Sequence, residues 1–197
     1  MNTVEVVAGL GLSCALLLPI DGHPAEARAT GSPQRPGRPG DIERAALDRA
    51  SFLVGEWEGE GWQLTGSGQR VRLWVKESYR YRGDRDLLDM EGRSGVLLPD
   101  GTRSSERHYA LGILYYDRTS DEYRMWHYSD DGEVFTATLD VDIGAKAGEY
   151  TRQRVGGGSS RFSVKIGDDG VWVSKVEAIN TDNTSLEVVE FRMKRNE

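Results

Sequence analysis

Phe52-Leu-Val-Gly-Glu-Trp-Glu-Gly-Glu-Gly-Trp62 decides the fold. Its alternation places Trp57, Gly59 and Gly61 on one face of a strand and Glu56, Glu58 and Glu60 on the other. If Trp57 faces a core, the three carboxylates form a solvated outer face. Two bare glycines beside an inward Trp leave room in the interior, or let another strand or a ligand approach closely. The stretch therefore reads as the first strand of a small closed β-barrel.

The rest of the chain continues that rhythm. Runs near 55–64, 69–81, 85–93, 107–117, 121–129, 132–142, 147–154, 159–167, 170–180 and 185–195 read as strands. Turn chemistry separates them, as in Pro99-Asp-Gly101, Asp130-Asp-Gly132, Gly156-Gly-Gly158 and Gly167 to Gly170. Short connections force antiparallel neighbours. The expected fold is all-β: a roughly ten-stranded antiparallel up-and-down barrel, with a two-sheet sandwich as the competing arrangement. Asp41 reads as the N-cap of a short helix, Ile42 to Ala50, that closes one barrel end. Ile42, Ala45, Ala46 and Arg49 lie on one face of it, with Leu47 and Ala50 beside that face.

Before the barrel lies a different composition. Val6 to Ile20 is a 15-residue apolar run, shorter than a membrane span of about 20 residues needs. With the small-x-small sites Ala25-Glu-Ala27 and Ala27-Arg-Ala29 after it, the run predicts a signal peptide over 1–29. The segment has no Lys or Arg ahead of the run and carries Glu5. Residues 30–40, rich in Pro and Gly, read as a flexible linker, and 41–197 as the barrel domain. The expected location is exported, periplasmic or secreted. Cys14 is the only cysteine. Gly11 stands where an acylated cysteine needs an aliphatic residue, so a lipid anchor at Cys14 is not expected. Cleavage after Ala29 leaves no cysteine, hence no disulfide and no thiolate metal site.

The formal charge of −7, with Arg scattered among Asp and Glu, excludes a nucleic-acid-binding stripe. His108 and His127 are the only histidines beyond His23, and neither lies in a metal-spaced motif. No metal, cofactor or membrane span is expected. Tyr123, Met125 and His127 share one strand face. Val75, Glu77, Tyr79 and Tyr81 share another, and an inward Glu77 must pair with a buried Arg or titrate upward. No serine sits in a nucleophile elbow, and Gly156-Gly-Gly-Ser-Ser160 is a turn, not a phosphate cradle.

Phe52 to Trp62 resembles the opening of the calycin superfamily, which includes lipocalins, fatty-acid-binding proteins and nitrobindin-like haem barrels. The resemblance implies that Gly55-x-Trp57 sits at the closed end with a basic side chain of the last strand, Arg192 or Lys194, over the indole. Glu56 to Trp62, Ala110-Leu-Gly-Ile-Leu-Tyr-Tyr-Asp117 and Glu190-Phe-Arg-Met-Lys-Arg195 resemble the bacterial domain-of-unknown-function family 1579, which is lipocalin-like. It spans about Ser51 to Arg195 and carries fold, not activity. Haem is not expected, because the late histidine of nitrobindin-like barrels has no counterpart after His127.

The functional expectation is an interior site for a small, partly apolar molecule, lined by Trp57, Gly59, Gly61, Glu77, Tyr115, Met125 and His127. The alternatives are a hydrolase or isomerase acting in the same interior through a His127–carboxylate or Glu77–Arg arrangement, and a ligand-free structural or interaction domain.

Overall fold

The computed structural model describes residues 40–154 and 157–196. The expected signal peptide, Cys14 and almost all of the linker lie outside these residues, as do residues 155, 156 and 197. Helix α1 (Asp41–Arg49) runs into a 3-10 turn, Ala50–Leu53. Ten strands follow: β1 (Gly55–Leu64), β2 (Arg70–Arg82), β3 (Leu87–Val96), β4 (His108–Asp117), β5 (Glu122–Ser129), β6 (Val134–Asp142), β7 (Ala147–Gln153), β8 (Ser159–Ile166), β9 (Trp172–Ile179) and β10 (Ser185–Arg195). Each pairs antiparallel with its chain neighbours, and β1 pairs with β10, so the barrel closes and no sheet edge is left. The expected fold is the observed one, and the sandwich is excluded.

Short turns make this possible. Gly132 and Gly170 carry them at φ of 87° and 73°, a region that side chains with a Cβ seldom enter. Register then fixes which residues face in. Trp57 pairs with Glu77, Glu77 with Gly92, Gly112 with His127 and His127 with Phe135, so all of these share the inner surface. Glu56, Glu58 and Glu60 face out, where Glu58 lies 3.2 Å from Lys76 and Glu60 2.8 Å from Arg72.

The core sits at the end where β1 begins. Leu47, Ala50, Leu53, Trp57, Val75, Tyr79, Leu88, Leu114, Ile166, Trp172 and Met193 form one buried cluster. Trp57 meets Trp172 edge-on at 4.9 Å, and Tyr79 lies 5.1 Å from Trp172. The helix plugs this end through hydrogen bonds as well as apolar contact. Tyr123 Oη donates to Ala46 O at 2.7 Å, Tyr81 Oη to Leu47 O at 3.2 Å and Trp57 Nε1 to Leu53 O at 2.8 Å. The two tyrosines thus reach carbonyls in the helix's last turn, where intrahelical partners run out.

Two expectations about this end are corrected. Asp41 is the first helical residue and pairs with Arg44. Gly40 takes the N-cap position with no side-chain cap. Ile42 is 56% exposed, because the packing face runs through Ala46, Leu47 and Ala50. The cation over Trp57 is Arg195, 4.6 Å from the ring, neither Arg192 nor Lys194. Trp57 and Arg195 are register partners, so they share a face, while Arg192 and Lys194 point away from it. Arg195 is held by donating to Phe52 O at 2.9 Å.

Candidate lumenal site

The inner wall changes character away from the helix. Along β6 the burial pattern alternates strictly. Phe135, Ala137 and Leu139 face in yet stay only half-buried, and Val134, Thr136 and Thr138 are exposed. Glu77, Tyr150, Phe162, Val176 and Phe191 also face in and keep accessible surface. For an inward side chain on a closed barrel, that surface borders the lumen. The inner wall of this half is therefore less enclosed than the packed end, against which Leu139 and Phe191 still pack.

The seam between β6 and β7 opens the same half. Backbone pairing there is confined to three rows, Asp140 to Asp142 against Ala147 to Glu149. Toward the mouth the β5–β6 and β7–β8 hairpins part, and side chains bridge the gap. Phe135 of β6 lies 6.0 Å from Tyr150 of β7, and Tyr150 stacks on Phe162 of β8 at 4.6 Å with the rings 5° from parallel. His127 of β5 extends the row by stacking on Phe135 at 4.6 Å. Four rings from four strands thus form a continuous shelf. Arg152 covers it, its guanidinium 5.0 Å from the Phe135 ring and 5.9 Å from that of Phe162. Arg152 is also ion-paired with Glu133, across the open seam.

Glu77 stands below this shelf. It does not find a buried Arg. It accepts a hydrogen bond from Tyr79 Oη at 2.9 Å instead. Burial pushes its carboxyl up to about 7, against the opposing effect of the Tyr79 bond. Of the two outcomes expected for an inward Glu77, titration upward is the one realised. Burial also raises the phenol of Tyr79, with the Glu77 charge adding to it. Tyr150 rises chiefly by burial too, and it feels the Glu77 charge. His127 is held below its ordinary value, first by burial, and its Nδ1 is enclosed without a partner.

The residues expected to line a site separate into three groups. Trp57, Glu77, Met125 and His127 face in, with Trp57 and Met125 buried in the packed region and Glu77 and His127 on the lumen. Gly59 and Gly61 face in but open no space. A Cβ on Gly59 would stand 1.9 Å from Arg192 O, and one on Gly61 2.0 Å from Glu190 O. They let the β10 backbone close against β1, the second of the two uses expected for them. Tyr115 pairs with Arg124 on the outer wall, its neighbours Leu114 and Tyr116 taking the inward positions. His127 Nδ1 has no hydrogen-bond partner and Glu77 bonds Tyr79, not an Arg, so neither the His127–carboxylate nor the Glu77–Arg arrangement is formed in this structure.

Phe135, Tyr150, Arg152 and Phe162 carry no individual mark in the sequence. Each sits on a short strand of plain alternation, and the signal that could have found them is parity. The inward parity switches from odd on β5 and β6 to even on β7 and β8, so the four emerge only once the register of each strand pair is known. Two surface grooves, of about 600 and 180 Å³, are lined by outward side chains such as Asp140, Lys165 and Lys175, or Arg80, Glu91 and Trp126. The first also reaches Gly148 and Val164, which face in where β7 meets β8. No group of three or more His, Cys, Asp or Glu side chains able to hold a metal occurs among the described residues, and no helix among them is long and apolar enough to cross a membrane.

This geometry defines the class: a closed ten-stranded lipocalin-like β-barrel, helix-plugged at one end and less enclosed toward the other. Solved structures agree. The chain is similar to Rv2717c from M. tuberculosis, with a TM-score of 0.55 at 15% identity over 77% of this chain and 98% of that one. It is also similar to the S-type phycobiliprotein lyase CPES from Guillardia theta, with a TM-score of 0.52 at 7% identity over 77% of this chain and 93% of that one. At such identities the likeness is one of fold. No family model matches the chain, and no curated protein matches it in sequence.

Proposed function

We propose that the protein is an exported lipocalin-like binder that holds a small, partly apolar molecule in the open half of its lumen. The observation that carries this is the ring shelf His127–Phe135–Tyr150–Phe162, facing accessible interior space beside an open seam. A barrel built only for stability gains by filling such space, since unfilled apolar volume costs stability. Aromatic walls with a few fixed polar groups, here Glu77, Tyr79 and Arg152, are the composition of a small-molecule pocket. That one structural neighbour is a phycobiliprotein lyase is compatible with a working lumen in this fold. Membership of the bacterial domain-of-unknown-function family 1579 belongs to the same reading. It rests on Glu56 to Trp62, Ala110 to Asp117 and Glu190 to Arg195.

Binding is tested with N-phenyl-1-naphthylamine, an uncharged probe that brightens in apolar surroundings. The parent protein should enhance its emission. Phe135→Ala combined with Phe162→Ala should weaken the probe's affinity at least about tenfold while the circular dichroism stays that of the parent. A parent that binds neither this probe nor any member of a broad small-molecule screen would refute the reading. Export is tested separately. N-terminal sequencing of the protein recovered from its host should begin at or near Thr30, and an intact Met1 in the soluble cytoplasm would refute export.

A further inference from the structure

We propose that the lumen selects an amphiphilic cation, an apolar molecule whose ammonium-type head docks on Glu77. This rests on the lumenal-binding reading above and adds the sign of the ligand's charge.

The argument is a census of inward charges. Between the tryptophans of the plugged end and the mouth, the inward strand positions of the described residues carry Glu77 on β2, His108 at the start of β4, 3.1 Å from Asp130, and Arg152 on β7, while Arg154 follows β7 on the same face and is spent at the rim donating to Ile179 O and Asn180 Oδ1. Glu133 enters β6 on the same face. Arg152 is neutralised by Glu133, and its Nε is shut off from solvent, so an anionic head would have to displace Glu133 to reach it. Glu77 has no cation. Its single hydrogen-bond partner is the Tyr79 hydroxyl on Oε2. Oε1 takes no hydrogen bond and is not among the enclosed polar atoms, so it borders the lumen. The residue's cross-strand neighbours are Trp57 of β1 on the packed side and Gly92 of β3 on the other, where a Cβ would sit 3.9 Å from both Glu77 and Ala110.

A carboxylate in a low-dielectric chamber is costly without a counter-charge. The carboxyl stands near 7, poised to ionise when a cation arrives. The groups facing it act in the same direction. Tyr79 and Tyr150 offer hydroxyls and ring faces, which favour cations, and His127 is held neutral by burial. A fatty-acid-type anion meets the opposite conditions.

Three ligands of equal chain length separate the possibilities: decylammonium, decanol and decanoate, titrated calorimetrically into the purified protein at pH 7.5. Decylammonium should bind at least about tenfold tighter than decanoate. Glu77→Gln should weaken decylammonium at least about tenfold and leave decanol within about twofold, which also shows that the variant is folded. Glu60→Gln, which removes a charge from the outer wall, should change neither, excluding bulk attraction to an acidic protein. Decanoate binding as tightly as decylammonium, or a preference that survives Glu77→Gln, would overturn the proposal and leave lumenal binding standing. Failure of all three ligands, decanol included, would overturn both.

Discussion

The two seams of the barrel are built on opposite terms. At β1–β10 the backbones meet in seven paired rows, and Gly59 and Gly61 give up side chains so that β10 can press against them. At β6–β7 the pairing stops after three rows, and large rings span the gap. The first seam joins the packed, helix-plugged end, where Trp172, Leu47 and Leu88 are fully enclosed. The second borders the less enclosed half, where inward side chains stay half-exposed. One closed sheet thus divides into a tight seam and plug that hold the fold and a loose seam whose inner wall carries less of the packing.

Substitutions at the two ends should therefore differ in size. Trp57→Ala removes a ring that touches Trp172, bonds Leu53 and carries Arg195. It should cost about 3–5 kcal/mol, read from chemical denaturation. A loss below about 1 kcal/mol would mean that the plugged end does not hold the fold. Gly59→Ala should cost about 3 kcal/mol, at or beyond the usual range for overpacking, because its new Cβ meets backbone that cannot rotate aside. It should also lift hydrogen-exchange protection along β10. Unchanged protection there would remove the reason given for the glycine.

Glu77 gives a smaller, pH-dependent effect. Its carboxyl is raised from 4.5 to about 7 in the folded state, so the folded protein binds the proton more tightly than the unfolded chain. The contribution is complete below about 4.5, falls as pH rises to about 7, and is absent above. Relative to the parent, Glu77→Gln should gain stability across that window, by up to roughly 2–3 kcal/mol at pH 8, since a tenfold change in proton affinity is worth about 1.4 kcal/mol and lumenal water recovers part. A difference that does not vary between pH 4.5 and 8 would place Glu77 in an ordinary solvated setting. Smallest of all, Phe135→Ala at the open seam should cost only about 1 kcal/mol, well under the value for a packed Phe. A cost near that of Trp57→Ala would show that this half is packed and erase the contrast between the ends.

Much of this architecture was legible in the chain. Alternation and turn residues set all ten strands to within a few residues, and Trp57 marked the plugged end. What stayed hidden depended on which of two parities a strand adopts once neighbours pair. Tyr115 and Tyr116 differ by one position, and register alone puts the second inside. Arg195 rather than Arg192 or Lys194 covers Trp57 for the same reason. Gly59 and Gly61 were visible as bare positions, but whether a strand or a ligand used the space depended on how closely β10 approaches. Glu77 could be read as inward and strained. That its partner is the hydroxyl of Tyr79, two residues on along the same face, depended on side-chain conformation.

The most direct test of the central claim, that the open half of the lumen is a binding site, is the map of amide shifts in a decanol titration followed by nuclear magnetic resonance. Shifts should concentrate at Glu77, His127, Phe135, Tyr150 and Phe162, with Leu47, Trp57 and Trp172 unmoved. Shifts confined to the outer groove around Lys165, Lys175 and Arg192, or no saturable shifts, would contradict the claim.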